Sequence, residues 1–165
     1  MTYRLDYYEE NEIEKIIDRA AKILGIKIEP SGRVEIAKRA RRTPRIANRL
    51  LKRVRDFAQV RAGGKITEVV AHEALAMLEV DELGLDNNDR RILEALIEKF
   101  AGGPVGISSI AAATSEDSGT IEDIYEPYLL RLGLIARTPK GRVATPAAYD
   151  HLKKPIKKPT AQQLL

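Results

Sequence analysis

Apolar residues recur at helical spacing along most of this chain, and glycine or proline interrupts each run. The run that predicts the first helix comprises Ile13, Ile16, Ile17, Ala20 and Leu24. Gly25 should end this helix, and similar runs predict helices over residues 36–40, 44–61 and 67–78. Because aromatic residues make up only 5 % of the chain, the core has to consist of aliphatic side chains, which favours helices over a β-sandwich. We therefore predict a mostly α fold, with a four-helix domain over residues 1–80.

Two of these helices begin with recognisable signals. Thr43 and Pro44 combine a hydroxyl cap with a proline at the first helical position, and Thr67 provides a second hydroxyl cap. Arg45 falls in the first helical turn after Pro44, where the helix dipole disfavours a cation. A cation at this place indicates an anionic ligand such as a phosphate, which also uses the helix end. The alternative is an ordinary ion pair between Arg45 and a nearby carboxylate.

Residues 86–152 follow a different order: helix, strand, helix, helix and hairpin. The predicted segments are a helix from Asp86 or Asn87, a strand over 105–107, a helix over 108–113, a helix from Thr120 to Leu132, hairpin strands over 134–137 and 142–144 and a closing helix over 146–152. This order is typical of a winged-helix domain, in which the hairpin is the wing. A connector at 81–85 joins the two domains, and the Lys- and Pro-rich residues 153–165 are expected to be disordered.

The longest helix of the second domain carries two local signals. Its first residues, from Thr120 to Asp123, resemble a capping box that opens the helix. Pro127 lies inside the helix and lacks a backbone N–H, so it should kink the helix or be held by packing.

The composition excludes several functional classes. The chain has no cysteine, which excludes disulfides, thiolate zinc sites and cysteine nucleophiles, and two histidines cannot form a three-histidine metal site. Ser108 and Ser109 have no paired base in a recognisable motif, so no catalytic residue is predicted. No apolar run approaches the roughly 20 residues of a membrane span. We therefore expect a cytoplasmic protein with no bound metal and no membrane partner.

Positive charge is unevenly distributed along the chain. The net charge is +4, yet residues 86–150 hold seven basic and ten acidic residues. Residues 33–55 hold ten basic residues and one acid, and residues 129–149 hold four basic residues and no acid. A basic run is often only a solvated helix face, so this balance does not establish a nucleic-acid partner. If residues 86–150 bind DNA, the contact has to be local.

Four motifs resemble one protein family. The segment over residues 41–58 (RRTPRIANRLLKRVRDFA) is similar to the small ATPase domain of the RuvB family, the bacterial Holliday-junction branch-migration motors. The other three resemble the head domain of that family in order and spacing: GGPVG at 102–106, TIEDIYEPYLL at 120–130 and RTPKGRVAT at 137–145. The resemblance covers about residues 3–152 and implies an AAA+ lid domain followed by a winged helix.

The resemblance also implies two nucleotide-binding residues. Arg45 corresponds to the sensor-2 arginine, which reaches the nucleotide phosphates, and Tyr8 corresponds to a residue beside the nucleotide base. The family usually has glycine before its Thr-Pro-Arg motif, where this chain has Arg42. Glycine there would serve a backbone with positive φ, so Arg42 is expected to affect the placement of Arg45.

The DNA-binding residues implied by the resemblance lie in the second domain. Arg137 and Arg142 correspond to contacts with the DNA backbone, and Lys140 lies in the hairpin turn between them. Ser118 occupies the position where the family often has a third DNA-contacting arginine, so one charged contact is replaced here.

The resemblance implies that the parent protein is an ATP-dependent translocase that works as a hexamer on the duplex DNA of a Holliday junction, together with RuvA and RuvC. ATP and Mg²⁺ would be bound mainly by a large ATPase domain, whose phosphate-loop motif, G-x-x-x-x-G-K-S/T, does not occur in these residues. We therefore expect a fragment that hydrolyses no ATP alone and binds no cofactor alone.

Two other functions remain open at this stage. One is a non-enzymatic winged-helix regulator whose longest helix reads bases, although Glu122, Asp123 and Glu126 on that helix would repel phosphates. The other is a domain that only binds proteins, which the absence of binding to a non-specific duplex at low salt would reveal.

Overall fold

The first of two compact units contains four helices and a small parallel sheet. The computed structural model describes residues 7–156, and the chain divides into the units Met1–Asp86 and Asn87–Leu165. The elements of residues 7–86 are α1 (Glu10–Ile23), β1 (Lys27–Ile28), α2 (Pro30–Arg39), α3 (Pro44–Arg61), β2 (Lys65–Ile66) and α4 (Glu68–Met77). Ile28 of β1 lies opposite Ile66 of β2. The four predicted helices are present, but α2 begins at Pro30, well before the predicted start at residue 36, because Pro30 opens the helix as its first residue. The sequence does not predict β2, because a two-residue strand shows no alternation.

An aliphatic core holds these helices together, as the composition predicts. Its fully buried side chains come from every helix and from β2, and include Ile13, Ile17, Ile36, Leu51, Ile66 and Leu75. Each such side chain contributes roughly 1.5–3 kcal/mol relative to an exposed one.

The start of α3 differs from the predicted cap. Pro44 is the first helical residue, as predicted, but the hydroxyl of Thr43 donates to the carbonyl oxygen of Arg41 at 3.1 Å and accepts no helix amide. The hydroxyl cap predicted at Thr43 is therefore wrong, whereas Thr67 does cap α4, accepting a backbone N–H at 3.3 Å. Arg42 has a φ of +54°, so the left-handed backbone expected for glycine is adopted here by an arginine.

Residues 81–86 pack with the first unit. The carboxylate of Asp81 accepts hydrogen bonds from the amides of Leu83 and Leu85, both at 2.9 Å, and Leu85 is fully buried. The boundary between the compact units accordingly falls after Asp86, whereas the sequence predicts a connector over 81–85.

The second unit combines short helices with one hairpin. Its elements within residues 87–156 are α5 (Asn87–Glu94), a π-helical turn (Ala95–Lys99), α6 (Ile107–Thr114), α7 (Ser118–Thr120), a second π-helical turn (Ile121–Tyr125), α8 (Glu126–Arg131), β3 (Ile135–Thr138), β4 (Gly141–Ala144) and α9 (Pro146–His151). The predicted hairpin is confirmed. The strand predicted over 105–107 is wrong, because only Val105 pairs, in a single bridge to Arg142, and Ile107 already begins α6.

The helical segment before the hairpin starts earlier than predicted. Asp117 is its N-cap, and its carboxylate accepts the backbone N–H of Thr120 at 2.8 Å. The capping box predicted at Thr120 is therefore wrong, and Thr120 lies within the helical segment. Pro127 is accommodated by the second π-helical turn, in which the amide of Glu126 donates to the carbonyl of Ile121, five residues back. The missing N–H of Pro127 thus coincides with a widened turn.

Among residues 7–156, no helix has the length and apolar character that a membrane crossing requires. Most of the residues for which disorder is predicted, 157–165, lie outside the described part of the chain.

Candidate functional site

The hairpin places two arginines directly opposite each other. Arg137 on β3 pairs in register with Arg142 on β4, and Thr138 lies opposite Gly141 at the turn. Directly opposed residues of an antiparallel pair point to the same face of the sheet. Both guanidinium groups therefore lie on one face of the hairpin, as their positions on either side of the turn predict.

A buried carboxylate joins the two arginines. Glu126, the first residue of α8, has a side chain only 1 % exposed, and its Oε1 accepts Nε–H groups from Arg137 at 2.6 Å and from Arg142 at 3.0 Å. Nη2 of Arg142 also donates to Oε2 of Glu126 at 3.0 Å and to Glu122 at 3.4 Å. Although no acid occurs between residues 129 and 149 of the sequence, the fold brings one to the arginines.

The electrostatics of this cluster favour its ionised form. Burial raises the pKa of Glu126, but the hydrogen bonds and charges of Arg137 and Arg142 outweigh burial, so its pKa lies below the ordinary 4.5. The hydrogen bond to Glu126 likewise raises the pKa of Arg137 above its ordinary value. Glu126 therefore stays a carboxylate and Arg137 stays a cation at neutral pH.

The predicted DNA-binding residues differ in accessibility. The side chain of Arg137 is 54 % exposed and that of Arg142 is 17 % exposed. Lys140 is exposed in the hairpin turn, and Ser118 is half-buried as the first residue of α7. Within residues 7–156, no hydrogen bond joins Ser118 to the hairpin, so the structure brings together Arg137 and Arg142 but does not link Ser118 to them.

The two predicted nucleotide-binding residues are both connected to the start of α3. Arg45 belongs to this helix, and Tyr8 precedes Glu9, which forms an ion pair with Arg42. Arg45 is exposed in the first turn of α3, and no carboxylate in the described part of the chain pairs with it. The alternative of an ordinary ion pair is therefore not realised there. Tyr8 is also exposed, and its neighbour Glu9 accepts a hydrogen bond from Arg42 at 3.4 Å. An exposed cation beside a helix N-terminus fits one side of a nucleotide phosphate site.

Metal binding has no comparable basis in the residues described. No group of three or more His, Cys, Asp or Glu side chains within residues 7–156 is placed to hold a metal ion.

Comparison with known families decides what these units are. The model of the RuvB AAA lid domain matches residues 8–81, and the model of the RuvB C-terminal winged helix domain matches residues 82–153. The chain belongs to the RuvB family. The predicted fold, an AAA+ lid domain followed by a winged helix with a short hairpin, is confirmed.

Individual RuvB proteins are similar over nearly the whole chain. The RuvB subunit of the Holliday junction branch migration complex of Chloroflexus aggregans is 60 % identical over 154 residues, which are 93 % of this chain and 44 % of that protein. The corresponding subunit of Chloroflexus aurantiacus is 59 % identical. The solved structure of the RuvB Holliday junction branch migration motor of Thermotoga maritima matches with a TM-score of 0.89 and 44 % identity, over 93 % of this chain and 51 % of that one. The chain thus spans about half the length of these RuvB relatives.

Glu126 is the residue that sequence reasoning misjudged. The sequence places it on a helix with Glu122 and Asp123, where it counts as a charge that repels phosphates. In the structure it is buried and neutralised by Arg137 and Arg142. A signal was present, because two arginines directly opposite each other on a hairpin destabilise it unless an anion lies nearby.

Proposed function

We propose that this chain is the nucleotide-sensing lid and the DNA-gripping head of an ATP-driven translocase that moves Holliday junctions. The lid corresponds to residues 1–80 and the head to residues 86–152. The observation that carries the proposal is the pair Arg137 and Arg142, opposed on a hairpin within a unit that matches the RuvB winged helix. The names of the relatives, subunits of a branch migration complex, support the same activity.

In the proposed head, the hairpin binds the DNA backbone. Arg137 and Lys140 are exposed and would contact phosphates, and Arg142 would add a contact from its remaining N–H groups. Ser118 would offer a hydroxyl in place of the third arginine of the family. Phosphates are the same at every base pair, so binding would be independent of sequence, as a motor that moves along any duplex requires. The exposed acids Glu122 and Asp123 on the preceding helical segment argue against base reading by that segment.

In the proposed lid, Arg45 contacts the nucleotide phosphates and Tyr8 lies beside the base. ATP and Mg²⁺ would be held mainly by a large ATPase domain of the kind that carries a phosphate loop, and Arg45 would supply positive charge to the transferred phosphate. Hexamer formation, duplex DNA and the partners RuvA and RuvC follow from the same resemblance, as does action in the cytoplasm.

The DNA proposal is tested by fluorescence anisotropy with a labelled duplex over a range of salt concentrations. About three phosphate contacts predict that the logarithm of affinity falls with the logarithm of salt at a slope of about −3, from a Kd of about 10⁻⁴ M. Duplexes of unrelated sequence should bind alike. The double substitution Arg137→Ala and Arg142→Ala should abolish most of the binding.

A truncated chain provides the control for the lysines near the C-terminus. Truncation after Ile156 removes Lys157 and Lys158 but keeps Lys154, whose Nζ lies 2.6 Å from Glu98. The proposal fails if truncation abolishes binding while the double arginine substitution leaves it intact. Strong dependence on base sequence would instead favour a regulator, and no binding at low salt would favour a protein-binding domain.

The nucleotide proposal is tested by ATP turnover. The chain alone should hydrolyse no ATP above background, whereas addition of a separately prepared RuvB ATPase domain should produce turnover that Arg45→Ala lowers. Arg49→Ala is the matched control, because Arg49 is also exposed on α3, one turn further along. Turnover by the chain alone that Arg45→Ala removes, or equal effects of the two substitutions, would contradict the proposal.

A further inference from the structure

The two hairpin arginines form an arrangement that is unfavourable without a third group. Arg137 and Arg142 are direct cross-strand partners, and like charges at such positions repel. The carboxylate of Glu126 reaches both, and its two oxygens accept three N–H groups from them. Glu126 therefore joins the two cations of the hairpin in one cluster.

The pattern of donors matters as much as the charge. Arg137 donates to Glu126 through Nε, and within residues 7–156 its Nη1 and Nη2 have no protein acceptor. Those two groups form the outer edge of the guanidinium, which suits a phosphate with two acceptor oxygens. Arg142 uses Nε and Nη2 for carboxylates, and its Nη1 has no acceptor among the described residues. Glu126 thus binds the inner edges of both side chains and leaves outer N–H groups available.

The position of Glu126 depends on the irregular helix that precedes it. Glu126 follows the second π-helical turn and its amide closes that turn on Ile121. Glu122 lies at the other end of the same turn, is 51 % exposed and contacts Arg142 at 3.4 Å. Two acids of equal charge therefore lie near the hairpin: Glu126 is buried and contacts both arginines, and Glu122 is exposed and contacts Arg142.

We propose that Glu126 is a positioning residue for DNA binding, which holds Arg137 and Arg142 side by side with the outer edge of Arg137 directed to a phosphate. The proposal rests on the proposed function of the hairpin. Simple electrostatics predicts that an acid close to a DNA-binding surface weakens binding, whereas this proposal predicts that Glu126 strengthens it.

The test is the sign of the effect of Glu126→Gln on affinity for a labelled duplex. This substitution makes the chain more positive by one charge, so bulk electrostatics alone would tighten binding. Positioning instead predicts about tenfold weaker binding, because two long side chains then have to be ordered when DNA binds. Glu122→Gln is the matched control: it makes the same change in charge at the edge of the cluster and should leave affinity unchanged or slightly tighter.

Glu126→Asp separates reach from charge. Aspartate keeps the charge but is one methylene shorter, so it cannot reach both arginines, and binding should again weaken severalfold. It also serves if Glu126→Gln fails to fold, as judged by circular dichroism. Tighter binding by Glu126→Gln, or unchanged binding by Glu126→Asp, overturns the proposal.

A double-mutant cycle distinguishes positioning from a general loss of structure. In a chain that already carries Arg137→Ala and Arg142→Ala, Glu126→Gln should have no further effect on affinity, because Glu126 acts only through these arginines. A further loss in that background would indicate a structural role and overturn the proposal. If the arginine substitutions themselves leave affinity unchanged, the proposed function of the hairpin fails; if only Glu126→Gln is without effect, the positioning role fails alone.

Discussion

Substitution of Gly141 by alanine should break the pairing between the hairpin and Val105. Gly141 has a φ of +132°, and a Cβ atom there would lie 2.6 Å from the carbonyl carbon and 3.0 Å from the nitrogen of Val105. Val105 also pairs with β4, because its N–H and C=O exchange hydrogen bonds of 3.0 and 2.8 Å with Arg142. The carbonyl oxygen of Val105 clashes as well, and all three atoms belong to backbone, so none can move aside as a flexible side chain would.

The cost of this substitution follows from two contributions. A non-glycine residue at such a φ costs roughly 1–3 kcal/mol. Loss of the two hydrogen bonds between Val105 and Arg142 adds roughly 1 kcal/mol each. We expect Gly141→Ala to destabilise the second unit by about 3–5 kcal/mol, which for a unit of this size lowers its melting temperature by at least about 12 °C.

Hydrogen exchange of the Arg142 amide, followed by NMR, measures this effect locally and is independent of the first unit. Gly133→Ala is the control, since Gly133 also has a positive φ, +68°, but a Cβ there would meet no atom within 4 Å. Its cost should be limited to the backbone, roughly 1–2 kcal/mol. Equal losses of protection in the two variants would show that contact with Val105 is not the cause, and an unchanged Gly141→Ala would refute the reasoning.

Three further outcomes are expected. Leu51→Ala should lower the stability of the first unit by about 2–5 kcal/mol in urea unfolding and leave DNA affinity unchanged, because Leu51 is fully buried in the core of that unit. Asp117→Ala should cost about 1 kcal/mol of stability in thermal unfolding, whereas Thr120→Ala should cost less, because Asp117 is the cap. Burial raises the pKa of Glu126, but the arginine contacts outweigh burial and lower this pKa below 4.5. The carboxylate therefore stabilises the fold above pH 4.5, and this stabilisation is lost as the pH falls below 4.5. Melting temperatures measured as the pH is lowered through 4.5 should fall less steeply in Glu126→Gln than in the unsubstituted chain.

Local patterns in the sequence determine most of the helices and the hairpin. The helices α1, α3 and α4 follow from apolar residues at helical spacing, and Pro44 marks the start of α3 because a proline needs no N–H at that position. The hairpin is predicted by two short strand-forming segments, residues 134–137 and 142–144, on either side of a turn that contains Pro139 and Gly141. The motifs over residues 41–58 and 120–130 also suffice to indicate the family, because they do not depend on how the chain folds.

Tertiary contacts decide the side-chain partners at the start of α3 and around Glu126, and the sequence does not show these contacts. The hydroxyl of Thr43 turns to Arg41 rather than to the helix, since a side chain near a helix start has several backbone partners within reach. Glu126 lies 11 residues from Arg137 and 16 residues from Arg142, and only the packing of α8 against the hairpin brings both arginines to this buried carboxylate. Charge counted along a chain measures its composition, whereas the field at a binding surface depends on which charges the tertiary structure brings within a few ångströms.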